Sequence, residues 1–192
     1  MLSPKYGPSG NLVTCFASPS ETSKLAAASS KVALQNLNEN EQTGGFLMAP
    51  QELEQRWEEH LAGEFTTKDV EATLATMTDD ASVDHIPVHS GGRGKQALRV
   101  FYRDIFIPSW PDDLEQIPTN RVVGEGQIVD EIRTRFTHDR PMEWFLPDVP
   151  PTHKAVDIDI IVVVQFRDGK IACERIYWDQ ATVLRQVGLL QR

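Results

Sequence analysis

Features that mark secreted, nucleic-acid-binding and membrane proteins are scarce in this chain of 192 residues. It has two cysteines, Cys15 and Cys173, which lie far apart in the sequence and argue against a disulfide framework. Acidic residues outnumber basic ones by 28 to 19, and the net charge of −9 disfavours nucleic acid or an anionic membrane surface as a partner. No apolar run approaches the ~18 residues that cross a bilayer. These absences favour a globular protein of a reducing compartment.

The first 49 residues lack arginine and contain few large apolar side chains, whereas Ser, Ala, Asn and Gly are frequent. Such a composition buries too little apolar surface to offset the entropy of ordering, so we predict a disordered or weakly ordered extension over residues 1–49. Residues 50–192 are predicted to form one folded domain. An organelle transit peptide within 1–49 is the alternative, but transit peptides are rich in arginine, which favours a cytoplasmic location.

Motifs that bind common cofactors are also missing. The sequence GGRGK at 91–95 lacks the first glycine and the Ser/Thr of a phosphate loop, because His89 and Gln96 stand at those positions. There is no Gly-x-Ser-x-Gly elbow and no dinucleotide fingerprint. His85 and His89 have the four-residue spacing of a zinc pair, but Pro87 between them breaks the element that would hold them on one face. We therefore expect no metal and no cofactor.

Hydrophobic periodicity predicts three helices, at residues 50–65, 66–80 and 93–110, with Thr67 as the N-cap of the second. A strand is expected near 81–90, and 111–120 is expected to be a loop or an irregular strand. Two hairpins follow, around Gly124-Glu125-Gly126 and Asp168-Gly169, with a proline-rich loop between them. The segment after residue 179 is expected to be a short helix or a tail packed back on the domain. This order is typical of an α+β fold whose helices lie on one face of a curved antiparallel sheet.

Strand parity separates the side chains of the predicted hairpins into two faces. One face of 127–139 is mostly apolar, and the other carries Glu131, Arg133 and Arg135 as an ion-paired surface or an interface. Glu174 and Arg175 are interpreted as a surface ion pair, and Trp57 as a core residue. The segment 155–166 is apolar on both faces after Asp159, which predicts helices on one side and a second subunit on the other.

Several local sequences carry a family resemblance: HIPVHSGGRGKQALRVFYRDIFIPSWPDD, VVGEGQIVDEIRTRFTHD, EWFLPDVPPTHK and DGKIACERIYWDQATVLRQVGLL. They resemble the SnoaL-like polyketide-cyclase and ester-cyclase branch of the nuclear transport factor 2-like superfamily. Within it they are most similar to the small proteins or extensions found alongside dienelactone hydrolases. The resemblance implies a cone-like half barrel of curved antiparallel sheet over three helices, assembled as a homodimer.

The resemblance also implies a cofactor-free cyclase or isomerase. Such an enzyme would act by acid/base catalysis on a small carbonyl or polyketide-type compound in an apolar pocket, with no nucleic-acid or membrane partner. Two alternatives stay open: a non-catalytic small-molecule-binding or dimeric scaffold protein, and a lactone or epoxide hydrolase that activates water. The Asp-Arg-Asp relay of the limonene-epoxide-hydrolase type is not found at matching positions, which weighs against epoxide opening.

Five residues match the acid/base positions that the resemblance implies: His85, Glu131, His138, Tyr177 and Asp179. Three have structural alternatives. His85 would be a half-buried histidine bonded to a carbonyl, Glu131 would form outward ion pairs, and Asp179 would cap the final helix. The expected substrate-binding side chains are apolar or aromatic: Trp144, as a lid or a buried anchor, with Phe101, Phe136 and Trp178.

Overall fold

The computed structural model describes residues 48–191. Nearly all of the predicted extension, residues 1–47, lies outside the described residues. Helix α1 (Pro50–Leu61) begins with a proline in its first turn, and the Glu52 carboxylate accepts a hydrogen bond from the Ala49 backbone N–H at 2.9 Å. No helix within residues 48–191 is long and apolar enough to cross a membrane.

The predicted second and third helices are shorter than their periodicity suggested. A π-helical turn (Ala62–Thr66) follows α1, and α2 (Val70–Ala75) starts at Asp69, whose carboxylate accepts from two backbone N–H groups. The predicted cap at Thr67 is therefore wrong. Helix α3 (Lys95–Val100) continues into a π-helical segment (Phe101–Phe106) and a 3₁₀ turn (Ile107–Ser109). π-Helical turns widen the helix by one residue per turn, and this re-aims the side chains that follow.

Six strands form one sheet: β1 (Met77–His85), β2 (Ser90–Arg93), β3 (Glu115–Gly124), β4 (Gln127–Thr137), β5 (Ala155–Arg167) and β6 (Lys170–Tyr177). Their order in the sheet is β2-β1-β6-β5-β4-β3. The predicted α+β class is confirmed, but the sheet is mixed, because β1 pairs in parallel with β6. Residues 111–120 were expected to be a loop or an irregular strand, and their second half is the irregular one: it belongs to edge strand β3, which tolerates Pro118 at a break in its register with β4.

Both predicted hairpins and the final helix are confirmed. Asp168 and Gly169 turn with φ of 52° and 74°, as a two-residue hairpin of primed type requires, and Gly126 has φ of 66° in the turn between β3 and β4. Helix α4 spans Gln180–Gln186.

Alternation along β4 places its apolar side chains against the helices, as parity predicted. The buried residues on this inner face are Ile128, Asp130, Ile132, Thr134, Phe136 and His138. On β6, Glu174 is buried to 3% exposure, so its interpretation as a surface ion pair with Arg175 is wrong. Consecutive strand residues point to opposite faces, and Glu174 therefore points into the domain with Ile176.

Candidate active site

A cavity of about 50 Å³ lies between the helices and the inner face of the sheet. Most of its wall is aromatic or aliphatic: Trp57, Leu61, Phe65, Val83, Phe101, Tyr102, Phe106, Trp110, Ile132, Trp144, Ile160, Val162 and Ile176. The other lining residues are polar: Glu64, His85, Gln116, Thr134 and Glu174. An apolar wall with a few converging polar groups is the usual composition of a small-molecule site.

Three buried ionisable side chains meet beside this cavity. His60 Nε2 lies 3.1 Å from Glu64 Oε1 and 3.2 Å from Glu174 Oε1. His60 is 0% exposed, and Glu64 and Glu174 are 6% and 3% exposed. Within residues 48–191 this is the one group of three potential metal ligands whose atoms all lie within 4.8 Å of one another.

The elements that carry the cluster explain its geometry. His60 lies in the last turn of α1, and Glu64 lies one turn further on, inside the π-helical turn. Residues four apart face the same side of a helix, so both side chains point towards the sheet. Glu174 reaches them from the middle of β6.

Hydrogen bonds define the protonation of the His60 ring. The Thr76 hydroxyl donates to the Thr73 carbonyl at 2.6 Å, so at 2.8 Å it accepts from His60 Nδ1–H. Nε2 is then the atom that faces the two carboxylates. Burial alone would lower the pKa of His60, but Glu174 and Glu64 outweigh it and raise that pKa to about 9.

Of the two carboxyl groups in the cluster, that of Glu174 is the one without a hydrogen bond from His60. Burial raises its pKa to about 7, although the charge of His60 opposes this shift. Its Oε1 is close enough to His60 for an ion pair, but the hydrogen bond from Nε2 goes to Glu64. Glu174 Oε1 therefore has no hydrogen-bond partner among the described residues.

The Tyr102 hydroxyl is a second buried polar group that lacks a hydrogen bond within residues 48–191. Burial, the charges of Glu174 and Glu64, and the approach of its hydroxyl to the Glu64 carboxylate raise the pKa of Tyr102 well above its usual value, so the hydroxyl keeps its proton. Tyr102 and Glu174 both line the cavity. A buried donor and a buried acceptor without protein partners are groups that a ligand or water can satisfy.

Behind the cavity wall, an acid–arginine–acid network holds Trp57. Asp130 accepts the Trp57 indole N–H at 2.8 Å and two hydrogen bonds from Arg121, at 2.8 and 2.6 Å. Arg121 also binds Glu58 at 2.6 Å. The indole in turn stacks on the His60 ring, with centroids 5.4 Å apart. Trp57 is the one member of this network that lines the cavity.

His85 is the one predicted acid/base residue that lines the cavity. Its Nδ1 lies 3.1 Å from the Ser90 carbonyl oxygen and must donate to it, which leaves Nε2 as an acceptor in the neutral ring. Four aromatic rings surround the imidazole, those of Phe101, Phe106, Trp144 and Trp178. Burial lowers the pKa of His85 to about 4.

The other acid/base candidates lie away from the cavity wall. Glu131 and Tyr177 are half-buried on the outer face of the sheet, whereas Glu174 lies on the inner face. His138 is buried at the end of β4, where its Nδ1 accepts the Thr152 backbone N–H at 3.3 Å. Asp179 is exposed and caps α4 by accepting from the Ala181 N–H at 3.0 Å. This cap is the structural alternative considered from the sequence.

Two of the four expected substrate-binding side chains line the cavity, Phe101 and Trp144. Trp144 is anchored because its indole N–H donates to Ser109 Oγ at 2.8 Å and its carbonyl accepts from the Ser90 hydroxyl. Phe136 and Trp178 are buried one layer further out, against Phe145.

Four ionisable residues at or beside the cavity escaped the sequence prediction: His60, Glu64, Tyr102 and Glu174. Two signals could have found them. His60 and Glu64 share a helix face with Trp57, and Glu174 shares strand parity with apolar Ile176.

The mixed sheet, the helices on its inner face and the cavity between them define an α+β cone fold of the nuclear transport factor 2-like type. The SnoaL-like domain matches residues 57–174, more than half of the chain. The chain therefore belongs to the SnoaL-like domain family.

Solved structures with the same fold share little sequence with this chain. TsrD from Streptomyces laurentii is 18% identical, with 74% of this chain and 99% of TsrD covered and a TM-score of 0.59. A Jannaschia sp. CCS1 protein assigned as a SnoaL-like polyketide cyclase is 20% identical, with 71% and 94% covered and a TM-score of 0.56. An LEH-like epoxide hydrolase from M. tuberculosis is 15% identical, with 71% and 90% covered and a TM-score of 0.53. No curated protein matches the chain.

Proposed function

We propose that this protein is a cyclase or isomerase that acts by acid/base catalysis on a small carbonyl compound. One observation carries the proposal. Glu174 and Tyr102 line the same aromatic cavity, and neither Glu174 Oε1 nor the Tyr102 hydroxyl has a hydrogen-bond partner among the described residues. An acceptor and a donor placed in this way match the two polar needs of enolate formation.

Each group has one role in the reaction. Glu174 removes a proton from the carbon next to the substrate carbonyl, and the electrons of that C–H bond form the C=C bond of an enolate. Tyr102 donates a hydrogen bond to the enolate oxygen. An isomerase then returns the proton from Glu174 to another carbon. In a cyclase the enolate carbon instead attacks a second carbonyl of the same molecule, the electrons of that C=O bond pass to its oxygen, and this oxygen takes the proton from Glu174. His60 holds Glu64 and Glu174 in place from behind the wall.

The size of the cavity favours a small reacting group. Its 50 Å³ is well below the roughly 300–1,000 Å³ of pockets that enclose drug-sized ligands. A neighbouring recess of about 290 Å³ shares Glu64, Phe65, Trp110 and Gln116 with it. The reacting carbonyl would occupy the inner cavity, and the rest of the substrate would extend past the Phe65 and Trp110 rings into the recess.

Proton exchange tests the chemistry without knowledge of the natural substrate. Small cyclic ketones and 1,3-diketones are incubated with the protein in deuterated buffer that contains EDTA, and loss of the α-proton signal is followed by NMR. We expect Glu174→Gln and Tyr102→Phe to slow protein-dependent exchange by about 10²-fold or more. Glu131→Gln is the matched control, because it makes the same change on the outer face of the sheet.

Two results would contradict the proposal. Exchange by Glu174→Gln at the wild-type rate would exclude Glu174 as the base. Ligand-induced thermal stabilisation, with no exchange by the wild-type protein for any compound that binds, would favour the alternative of a small-molecule-binding protein. The hydrolase alternative has less support, since Asp130, Arg121 and Glu58 do not line the cavity.

For assembly, we infer a homodimer formed through the outer face of the sheet. Register places Val122, Val129 and Val163 side by side on this face, and Val122 is 57% exposed. Next to them, Arg133 binds Asp157 at 2.5 Å and Asp159 at 3.0 Å, so the face carries both charge signs. A surface with an apolar centre and paired charges of both signs can complement itself across a two-fold axis.

Sedimentation equilibrium tests the dimer. We expect Val163→Glu to give a monomer, and Val122→Glu, at the exposed edge strand, to do the same if the first variant unfolds. Val100→Glu is the control, because Val100 is an exposed valine on α3. A monomeric wild-type protein at micromolar concentration would overturn the assignment.

A further inference from the structure

The His60 ring presents Nε2 to two carboxylate oxygens. Its Nδ1–H is committed to Thr76, so a neutral ring directs the Nε2 lone pair at Glu64 Oε1 and Glu174 Oε1. Three acceptors that face one another repel unless a cation lies among them. A proton is one such cation, and a metal ion is the other.

The spacing of these atoms fits a metal ion. Bonds of about 2.0–2.1 Å from tetrahedral zinc place two N or O ligands about 3.3 Å apart. His60 Nε2 is 3.1 Å from Glu64 Oε1 and 3.2 Å from Glu174 Oε1, both within a few tenths of an ångström of that spacing, and the three ligand atoms lie within 4.8 Å of one another. The hydrogen bond from Nδ1–H to Thr76 also matches the outer contact that orients ligating histidines.

The net charge of the three buried groups also favours a metal ion. A single proton leaves the three buried groups with one net negative charge, whereas a doubly charged ion balances both carboxylates around a neutral imidazole. Burial of an uncompensated charge is costly.

A second, independent observation comes from Tyr102. Its hydroxyl is buried, lacks a hydrogen bond among the described residues and lines the same cavity as both carboxylates. It could hydrogen-bond a water in the fourth coordination position, on the side of the ion that faces the cavity. One imidazole and two carboxylates suit a divalent transition ion such as Zn²⁺ better than Ca²⁺ or Mg²⁺, which prefer oxygen ligands alone.

We propose that His60, Glu64 and Glu174 form a binding site for one divalent transition-metal ion, which takes the place of the proton among them. Glu174 is then coordinated and unable to accept a substrate proton, so the ion inhibits enolate formation. The inhibitory part rests on the proposed function, whereas the binding part stands without it.

Cobalt absorption tests binding directly. The full chain, freed of metal by EDTA and dialysis, is titrated with Co²⁺, and the visible d–d bands of a low-coordinate cobalt site are recorded. We expect one Co²⁺ per chain, competition by Zn²⁺, and loss of the bands in Glu64→Gln and Glu174→Gln. Glu131→Gln should retain them. Circular dichroism establishes that each variant is folded, and the two glutamine variants serve if His60→Ala does not fold.

The outcomes separate the two proposals. Absence of the cobalt bands, or bands that persist unchanged in both glutamine variants, would overturn the metal site whatever the exchange assay shows. Cobalt binding without proton exchange in EDTA would leave the metal site in place and remove the enzymatic proposal. If the metal-free protein catalyses exchange, equimolar Zn²⁺ in the same buffer without EDTA should abolish it, and exchange that continues with Zn²⁺ bound would refute the inhibitory role.

Discussion

The contribution of His85 to the stability of this protein should fall in mild acid, because its buried ring stays neutral. Its pKa is about 4 in the folded protein because of burial, against an ordinary value of 6.5 in the unfolded chain. Between these values the unfolded chain binds a proton that the folded protein does not. The contribution of His85 is therefore fully present above pH 6.5 and is lost as the pH falls towards 4.

The size of the effect follows from the two pKa values. A difference of 2.5 units, from 6.5 to 4, corresponds to about 3 kcal/mol once the pH is below both values. Between about pH 7.5 and about pH 5 the expected loss is about 2 kcal/mol. The four rings in contact with the imidazole are uncharged, so none of them offsets this cost.

Urea unfolding of the wild type and of His85→Asn at these two pH values isolates the His85 contribution. His60 and Glu174, whose pKa values are raised, stabilise both proteins on acidification, so their effect cancels in the difference. Asparagine keeps a donor that can reach the Ser90 carbonyl but does not titrate. We expect the variant to be less stable at neutral pH because a void replaces part of the ring, and to lose about 2 kcal/mol less than the wild type on acidification. Equal losses in the two proteins, or an NMR titration of His85 near 6.5, would refute the reasoning.

Three further changes test the packing around the site. Gly91→Ala should destabilise the domain by about 2 kcal/mol or more in urea unfolding, because φ is 131° and a Cβ would lie 2.1 Å from the Val83 carbonyl oxygen. Gly124→Ala is the control: its Cβ meets no contact closer than 4.0 Å, so it should cost under about 1 kcal/mol. Asp179→Ala should lower the free energy of unfolding by about 1 kcal/mol through loss of the cap on α4 and leave proton exchange unchanged; a large loss of exchange in a folded variant would give Asp179 a role at the site. Asp130→Ala should cost about 2 kcal/mol in thermal or urea unfolding, because it removes the buried acceptor of the Trp57 indole and of Arg121, which is half-buried and keeps Glu58 as a partner. A cost under about 1 kcal/mol would show that Asp130 does not stabilise either side chain.

Strand parity made the inner face of β4 predictable, because side chains alternate with a period of two wherever one face is buried. The same rule places Glu174 on the apolar face of β6. In the sequence interpretation Glu174 was instead paired with the opposite charge of Arg175, although adjacent residues on a strand point to opposite faces and do not pair. Strand parity, and not the charge of the neighbouring residue, determines the face on which Glu174 lies.

Other features were beyond local pattern. The cluster joins positions 60, 64 and 174, and it depends on a parallel pairing of β1 with β6 that no turn residue signals. Its helical part also depends on the π-helical turn after Leu61, whereas a 3.6-residue period assumes a regular helix. Asp179 and His85 each fitted two interpretations, and only tertiary contacts distinguish a helix cap from a cavity residue.

The position of β6 has a consequence for how this protein reaches its folded state. It follows the other five described strands in the chain, yet it lies between β1 and β5 and supplies Glu174. Until residues 170–177 leave the ribosome, the hairpin of β1 with β2 and the meander of β3 to β5 are separate pieces with unpaired edges. Pairings between distant parts of a chain form slowly, so we expect the cavity to assemble last in folding. A chain that ends before Lys170 would lack the middle of its sheet, and its two exposed strand edges would favour aggregation.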